Sequence, residues 1–97
     1  MVYREIMKRM REDGVELDDR FRALAVLRAN EVLSEDMKRQ PIYNINIIDF
    51  IGSHRLFRSK GVLSLIHRAL DILDAYGFVD RPEDGEIYLV LDESLRV

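Results

Sequence analysis

The side chains able to do covalent or metal chemistry are few and poorly grouped. His54 and His67 are the only histidines, thirteen positions apart, and there is no cysteine. With no thiolate and no regularly spaced carboxylate around them, neither histidine completes a ligand set of the usual metal-site spacing, and each reads as a polar surface residue. Ser53 and Ser59 stand where they can cap helices, and no Gly-x-Ser-x-Gly turn presents a nucleophilic serine. Gly61 has no phosphate-binding glycine pattern before it. Asp71 and Asp74 share a helix side as an acid/base pair would, but carboxylates exposed in a last turn read as solvated groups. The expectation is therefore no enzyme, no metal and no cofactor.

What remains is the distribution of charge. The 97 residues carry a net charge of −3, which argues against a generic nucleic-acid coat, because non-specific affinity comes mostly from phosphate neutralisation by Lys and Arg. The average hides a segregation. Residues 1–36 hold seven basic and nine acidic side chains, residues 37–70 hold six basic and only Asp49, and residues 71–97 hold two basic and eight acidic. A basic middle between acidic ends becomes a polarised surface if the fold keeps the blocks apart.

Length allows one small domain with one core. With 47% apolar and 34% charged residues the chain is expected to fold as a globular protein. The absence of cysteine gives no support to secretion. The longest apolar runs, such as Ile87–Leu91, are far short of a membrane span, and the N-terminus lacks the apolar core of a signal peptide. A cytoplasmic protein without membrane contact is expected. Twelve Arg against three Lys, one Gln and no Cys or Trp lean toward the composition of heat-adapted proteins.

The elements that must position these charges follow from periodicity. Val2, Ile6 and Met10, with Tyr3 and Met7 alongside, predict an amphipathic helix closed by Gly14. Asp18 and Asp19 offer an N-cap and first-turn charge to a second helix, with Asp18 placed to pair with Arg22. Phe21, Leu24, Ala25, Leu27, Val32, Leu33 and Met37 supply its apolar side, and Pro41 ends it. The alternating Ile and Asn of residues 41–46 predict a short strand, with Asn46 capping a helix that starts at Ile47. A helix over residues 59–76 is the strongest of the chain. Leu63, Ile66, Leu70 and Leu73 form its apolar line, Leu65, Ala69, Ile72 and Tyr76 the adjacent side, and Lys60, Ser64, His67 and Asp71 its polar line. Arg68 and Asp74 lie at the edge of that line. Gly77 ends the helix, and two strands, 78–81 and 87–91, flank the turn Pro82-Glu83-Asp84-Gly85.

Helix, short strand, helix, turn, helix and hairpin over residues 19–91, together with the run Leu63-Ser64-Leu65-Ile66-His67-Arg68-Ala69-Leu70-Asp71-Ile72-Leu73-Asp74-Ala75-Tyr76-Gly77-Phe78-Val79-Asp80-Arg81, resemble the winged helix-turn-helix family. The resemblance implies an α+β, mainly α domain with an additional N-terminal helix over residues 1–14. It also implies a third helix in the major groove of double-stranded DNA. Lys60, Ser64, His67 and Arg68 would then face bases and phosphates, with Arg55, Arg58, Ser59 and Arg81 completing the contact set. The function implied is that of a small intracellular DNA-binding transcriptional regulator.

One departure counts against DNA. Glu83, Asp84 and Glu86 cluster in the wing tip, where they would repel phosphate. Winged helix domains also serve as protein-interaction modules, so the alternative is an adaptor of a larger replication or transcription assembly, docking on a protein partner through its acidic wing. A core built from residues 19–91 leaves the stripe of Val2, Tyr3, Ile6, Met7 and Met10 without an obligatory partner. It folds back on the domain or, as the homodimer expectation has it, pairs with a second copy.

Overall fold

The computed structural model describes residues 2–34, 41–43, 45–57, 61–82 and 85–89. Four helices, α1 (Val2–Glu12), α2 (Leu17–Ser34), α3 (Ile45–Gly52) and α4 (Val62–Ala75), are followed by two short strands, β1 (Val79–Asp80) and β2 (Tyr88–Leu89). A single 3-10 turn, Arg55–Phe57, lies between α3 and α4. The fold is mainly helical, with one small antiparallel sheet.

Local chemistry explains where the helices stop. At the end of α1 the amide of Gly14 donates to Arg11 O (3.2 Å) and that of Val15 to Met10 O (2.9 Å). At the end of α4 the amide of Gly77 donates to Asp74 O and that of Phe78 to Leu73 O, both at 3.1 Å. These are paired six-to-one and five-to-two bonds that reverse the chain through a left-handed residue. Gly14 and Gly77 supply it at φ 82° and 81°. Phe78 then enters the core beside Leu73, the apolar contact that goes with this closure.

The core lies between α2, α3 and α4. Its large members are Leu27, Ile47, Ile51, Phe57, Ile66, Leu70, Leu73 and Phe78, all essentially inaccessible to water. The hairpin pairs Val79 with Leu89 and Asp80 with Tyr88. Beside β2, the amide of Ile42 donates to Ile87 O at 2.8 Å, which ties the segment before α3 to the sheet edge.

Helix α1 folds back onto the domain. Ile6 and Met10 are buried in the common core, and Tyr3 and Met7 pack against it. The Tyr3 hydroxyl donates to Glu31 of α2, Arg9 lies 5.3 Å from the Tyr76 ring centre, and the Tyr76 hydroxyl donates to Asp13. The stripe expected to join two copies is thus covered by the chain itself, which removes Ile6 and Met10 as interface residues. The Val2 side chain lies outside the described residues.

Other expectations change as well. The strand expected over residues 41–46 is absent among the described residues: Ile42 and Tyr43 lie in a bend, and α3 begins at Ile45 and takes in Asn46, which therefore does not cap it. Alternating apolar and polar residues over so short a span fit a helix start equally well. Leu63 is exposed: the buried face of α4 is Leu65, Ile66, Ala69, Leu70 and Leu73, and at about 100° per residue Leu63 sits roughly a quarter-turn away from it. In α2 the buried face is Ala23, Val26, Leu27, Ala29 and Asn30, whereas Phe21 and Val32 face outward. Arg22 pairs with Asp19 rather than Asp18. The strands are shorter than expected, and Met37 lies outside the described residues.

Candidate functional site

The expected reading helix is α4, and its outward residues are Ser64, His67, Arg68, Asp71 and Asp74, all exposed. All but Asp74 look across a cleft of about 470 Å³ at Glu16 and the first turns of α2, where Asp18, Asp19 and Arg22 complete the facing wall. Arg68 does not extend freely into solvent. Its Nε donates to Asp19 Oδ1 at 3.0 Å and its Nη2 to Asp19 Oδ2 at 2.9 Å, a two-pronged pairing that fixes the plane of the guanidinium.

Asp19 is buried, and a buried carboxylate must be answered by charge and hydrogen bonds. Arg68 and Arg22 do so from opposite sides, Arg22 Nη1 lying 3.3 Å from Oδ1. Arg22 also donates through Nε to Leu56 O at 2.9 Å, which ties the 3-10 turn to α2. The hydrogen bond to Asp19, and next its charge, raises the Arg68 guanidinium above its ordinary pKa.

The neighbouring candidates are answered in the same way. Arg81 Nη2 lies 3.6 Å from Asp74 Oδ2. His67 Nε2 lies 3.7 Å from Asp71 Oδ2, and its Nδ1 is 3.3 Å from the Tyr43 hydroxyl. Burial, and then the Asp71 charge, raises the Tyr43 phenol, with Arg81 opposing. Arg68 and Arg81 are therefore each paired with an aspartate. Glu16, Asp18, Asp19 and Asp71 outnumber Arg22 and Arg68 along the α4 cleft.

Arg55 is separated from the other candidates. It lines a second cleft, about 420 Å³, on another side of α2, with Phe21, Leu24, Ala25 and Leu56 as apolar floor and Arg28, His54 and Asp18 around it. His54 holds the turn in shape: its Nδ1 accepts from the Leu56 amide at 3.2 Å, and its ring meets Phe57 edge-on at 6.1 Å. Of the remaining expected contacts, Arg58, Ser59 and Lys60, and the wing carboxylates Glu83 and Asp84, lie outside the described residues. No group of His, Cys, Asp and Glu suited to a metal occurs among the described residues, and no described helix is long and apolar enough to cross a membrane.

The second cleft continues a feature that sequence reading missed. Leu17, Phe21 and Val32 are 52%, 43% and 44% exposed. With the half-buried Leu24 and Ala25, and with Arg28 interrupting before Val32, they form one line along α2, opposite its buried face. Helix α2 is apolar on two sides, and its lack of a single apolar side is the signal that could have revealed this. Comparison with family models, with curated proteins and with solved structures gave no match to this chain.

Proposed function

We propose that the chain is a winged helix-turn-helix domain used as a protein-interaction module, an adaptor that docks on a larger assembly. The observation that carries this reading is the second apolar face of α2, where Leu17, Phe21 and Val32 are exposed and Leu24 and Ala25 are half-buried between them. Exposed apolar side chains grouped on one helix face of a charged domain suit a surface for another protein. The order α2, Ile42 segment, α3, turn, α4 and hairpin supports the winged arrangement, with the Ile42 to Ile87 bond as the vestige of its third strand.

DNA binding through α4 is the second reading, and the basic block of residues 37–70 favours it. Against it stand the pairing of Arg68 with Asp19 and of Arg81 with Asp74. A phosphate arriving at α4 meets carboxylates before it meets an open cation. A gel-shift titration on random duplex at low salt tests the choice. The docking module gives no shift at micromolar protein; micromolar or tighter binding overturns it in favour of a DNA-binding regulator.

A further inference from the structure

The second cleft has a chemistry that selects one kind of occupant. Its floor is apolar, through Phe21, Leu24, Ala25 and Leu56, while Arg28 and Arg55 stand at its edge against the single carboxylate of Asp18. Arg22, Arg68 and Arg81 are each paired with an aspartate. The guanidinium groups of Arg28 and Arg55, both exposed, have no such partner among the described residues. Two open arginines flanking an apolar cleft, on a protein of net charge −3, are complementary to a segment that brings apolar anchors and its own carboxylates.

We propose that this cleft binds an acidic amphipathic helix of a partner protein. Its apolar residues meet Leu17, Phe21, Leu24, Ala25 and Val32, and its Asp or Glu residues meet Arg28, which interrupts that line, and Arg55 across the cleft. This rests on the docking function above and adds the chemistry of the partner. The line is about 22 Å long at 1.5 Å per residue, so a helix of about 15 residues covers it. The wall opposite is preformed, because Leu56 is held by Arg22 at 2.9 Å and Phe57 is buried beneath it. The site therefore needs little ordering on binding. Arginine makes two-pronged bonds to a carboxylate and tolerates partial desolvation better than lysine, which suits it to such an edge.

The test uses the full chain and a labelled synthetic helix of about 15 residues, with Leu on one face and Glu on the others, followed by fluorescence anisotropy. A matched peptide carries Lys in place of Glu. The Glu peptide is expected to bind at least about tenfold more tightly than the Lys peptide, with an advantage that shrinks as salt rises. The double variant Arg28→Glu, Arg55→Glu, which alters only exposed side chains, is expected to reverse the preference, and Phe21→Ala to weaken both peptides. Equal binding of the two peptides that is lost in Phe21→Ala overturns the acidic partner while leaving the docking function standing. A Glu peptide that does not bind at millimolar concentration, or that ignores the charge reversal, also overturns the proposal. Failure of the docking function itself is read separately, from duplex binding in the gel shift.

Discussion

Met10 offers the sharpest test of where α1 belongs. Its side chain is 0% exposed, one turn beyond Ile6, which is also in the core. Truncation to Ala removes the thioether arm and leaves a void bounded by α1 and the domain. Core Met→Ala changes cost about 2–5 kcal/mol, depending on how far the surroundings collapse. Partial settling of α1 against the domain fills some of the void. That places the expected loss at about 2–3 kcal/mol.

In a domain of this size each kcal/mol lowers the melting temperature by about 4–8 °C, so Met10→Ala is expected to melt roughly 10–20 °C below the wild type. Circular dichroism melts should be run at two concentrations about tenfold apart, because a fold completed by a second copy has a concentration-dependent midpoint. The same midpoint at both concentrations is expected, since Met10 is covered within its own chain. A variant that melts with the wild type while a full-length dimer dissociates in sedimentation would refute the reasoning and return the stripe to an interface between copies.

Three further outcomes follow from single contacts. Gly77→Ala forces a side chain into φ 81°, yet the added Cβ meets nothing within 4 Å; the loss is backbone strain of about 1–2 kcal/mol in a urea titration, and no loss would mean that the helix end is not held as described. The Tyr76 phenol is raised above its ordinary pKa by burial first, then by its hydrogen bond to Asp13 and that residue's charge, with Arg9 opposing. Its neutral form thus adds stability below the ordinary tyrosine range near pH 10 that is lost as pH rises through the folded value. Asp13→Asn should lower its phenolate midpoint in ultraviolet titration, and an unmoved midpoint would contradict the contact. Asp19→Ala should shift the urea midpoint more than Arg68→Ala, because it leaves the largely buried Arg22 without its carboxylate, whereas losing Arg68 leaves Asp19 bonded to Arg22; equal shifts would sink that asymmetry.

What was legible in the sequence was local. Gly14 and Gly77 end helices by a backbone geometry that needs only the glycine and its neighbours. Pro82 and Gly85 close the hairpin turn through the Gly85 amide to Pro82 O, at 3.3 Å. The spacing of Ile66, Leu70 and Leu73 identified the inner face of α4. Non-local features were not legible. Asp19 and Arg68 are 49 positions apart, and nothing near Asp19 distinguishes a helix-capping carboxylate from one bound to a distant guanidinium. Phe21 and Val32 were assigned inward because an apolar residue has no mark of its own to say which of two apolar faces is the core. Only packing against α3 and α4 decides that the side of Ala23, Val26 and Leu27 turns inward. The same packing decides that α1 is part of the core, which no periodicity within α1 could state.

The two surfaces of α2 differ in what an incoming group must displace. At the α4 cleft a phosphate has to compete with the Asp19 carboxylate for Arg68, at 2.9 and 3.0 Å. If it wins, it leaves a buried carboxylate with only Arg22, and that state is penalised because charge removed from water needs its partners. At the second cleft a carboxylate reaching Arg28 or Arg55 displaces water, and the apolar surface covered with it adds to the gain rather than opposing it. Asp18 lines both clefts, so repulsion of an anion by that residue is common to the two and does not separate them. The difference comes from Asp19: it binds both Arg22 and Arg68 on the α4 side, whereas Arg28 and Arg55 beside Phe21 have no such carboxylate among the described residues.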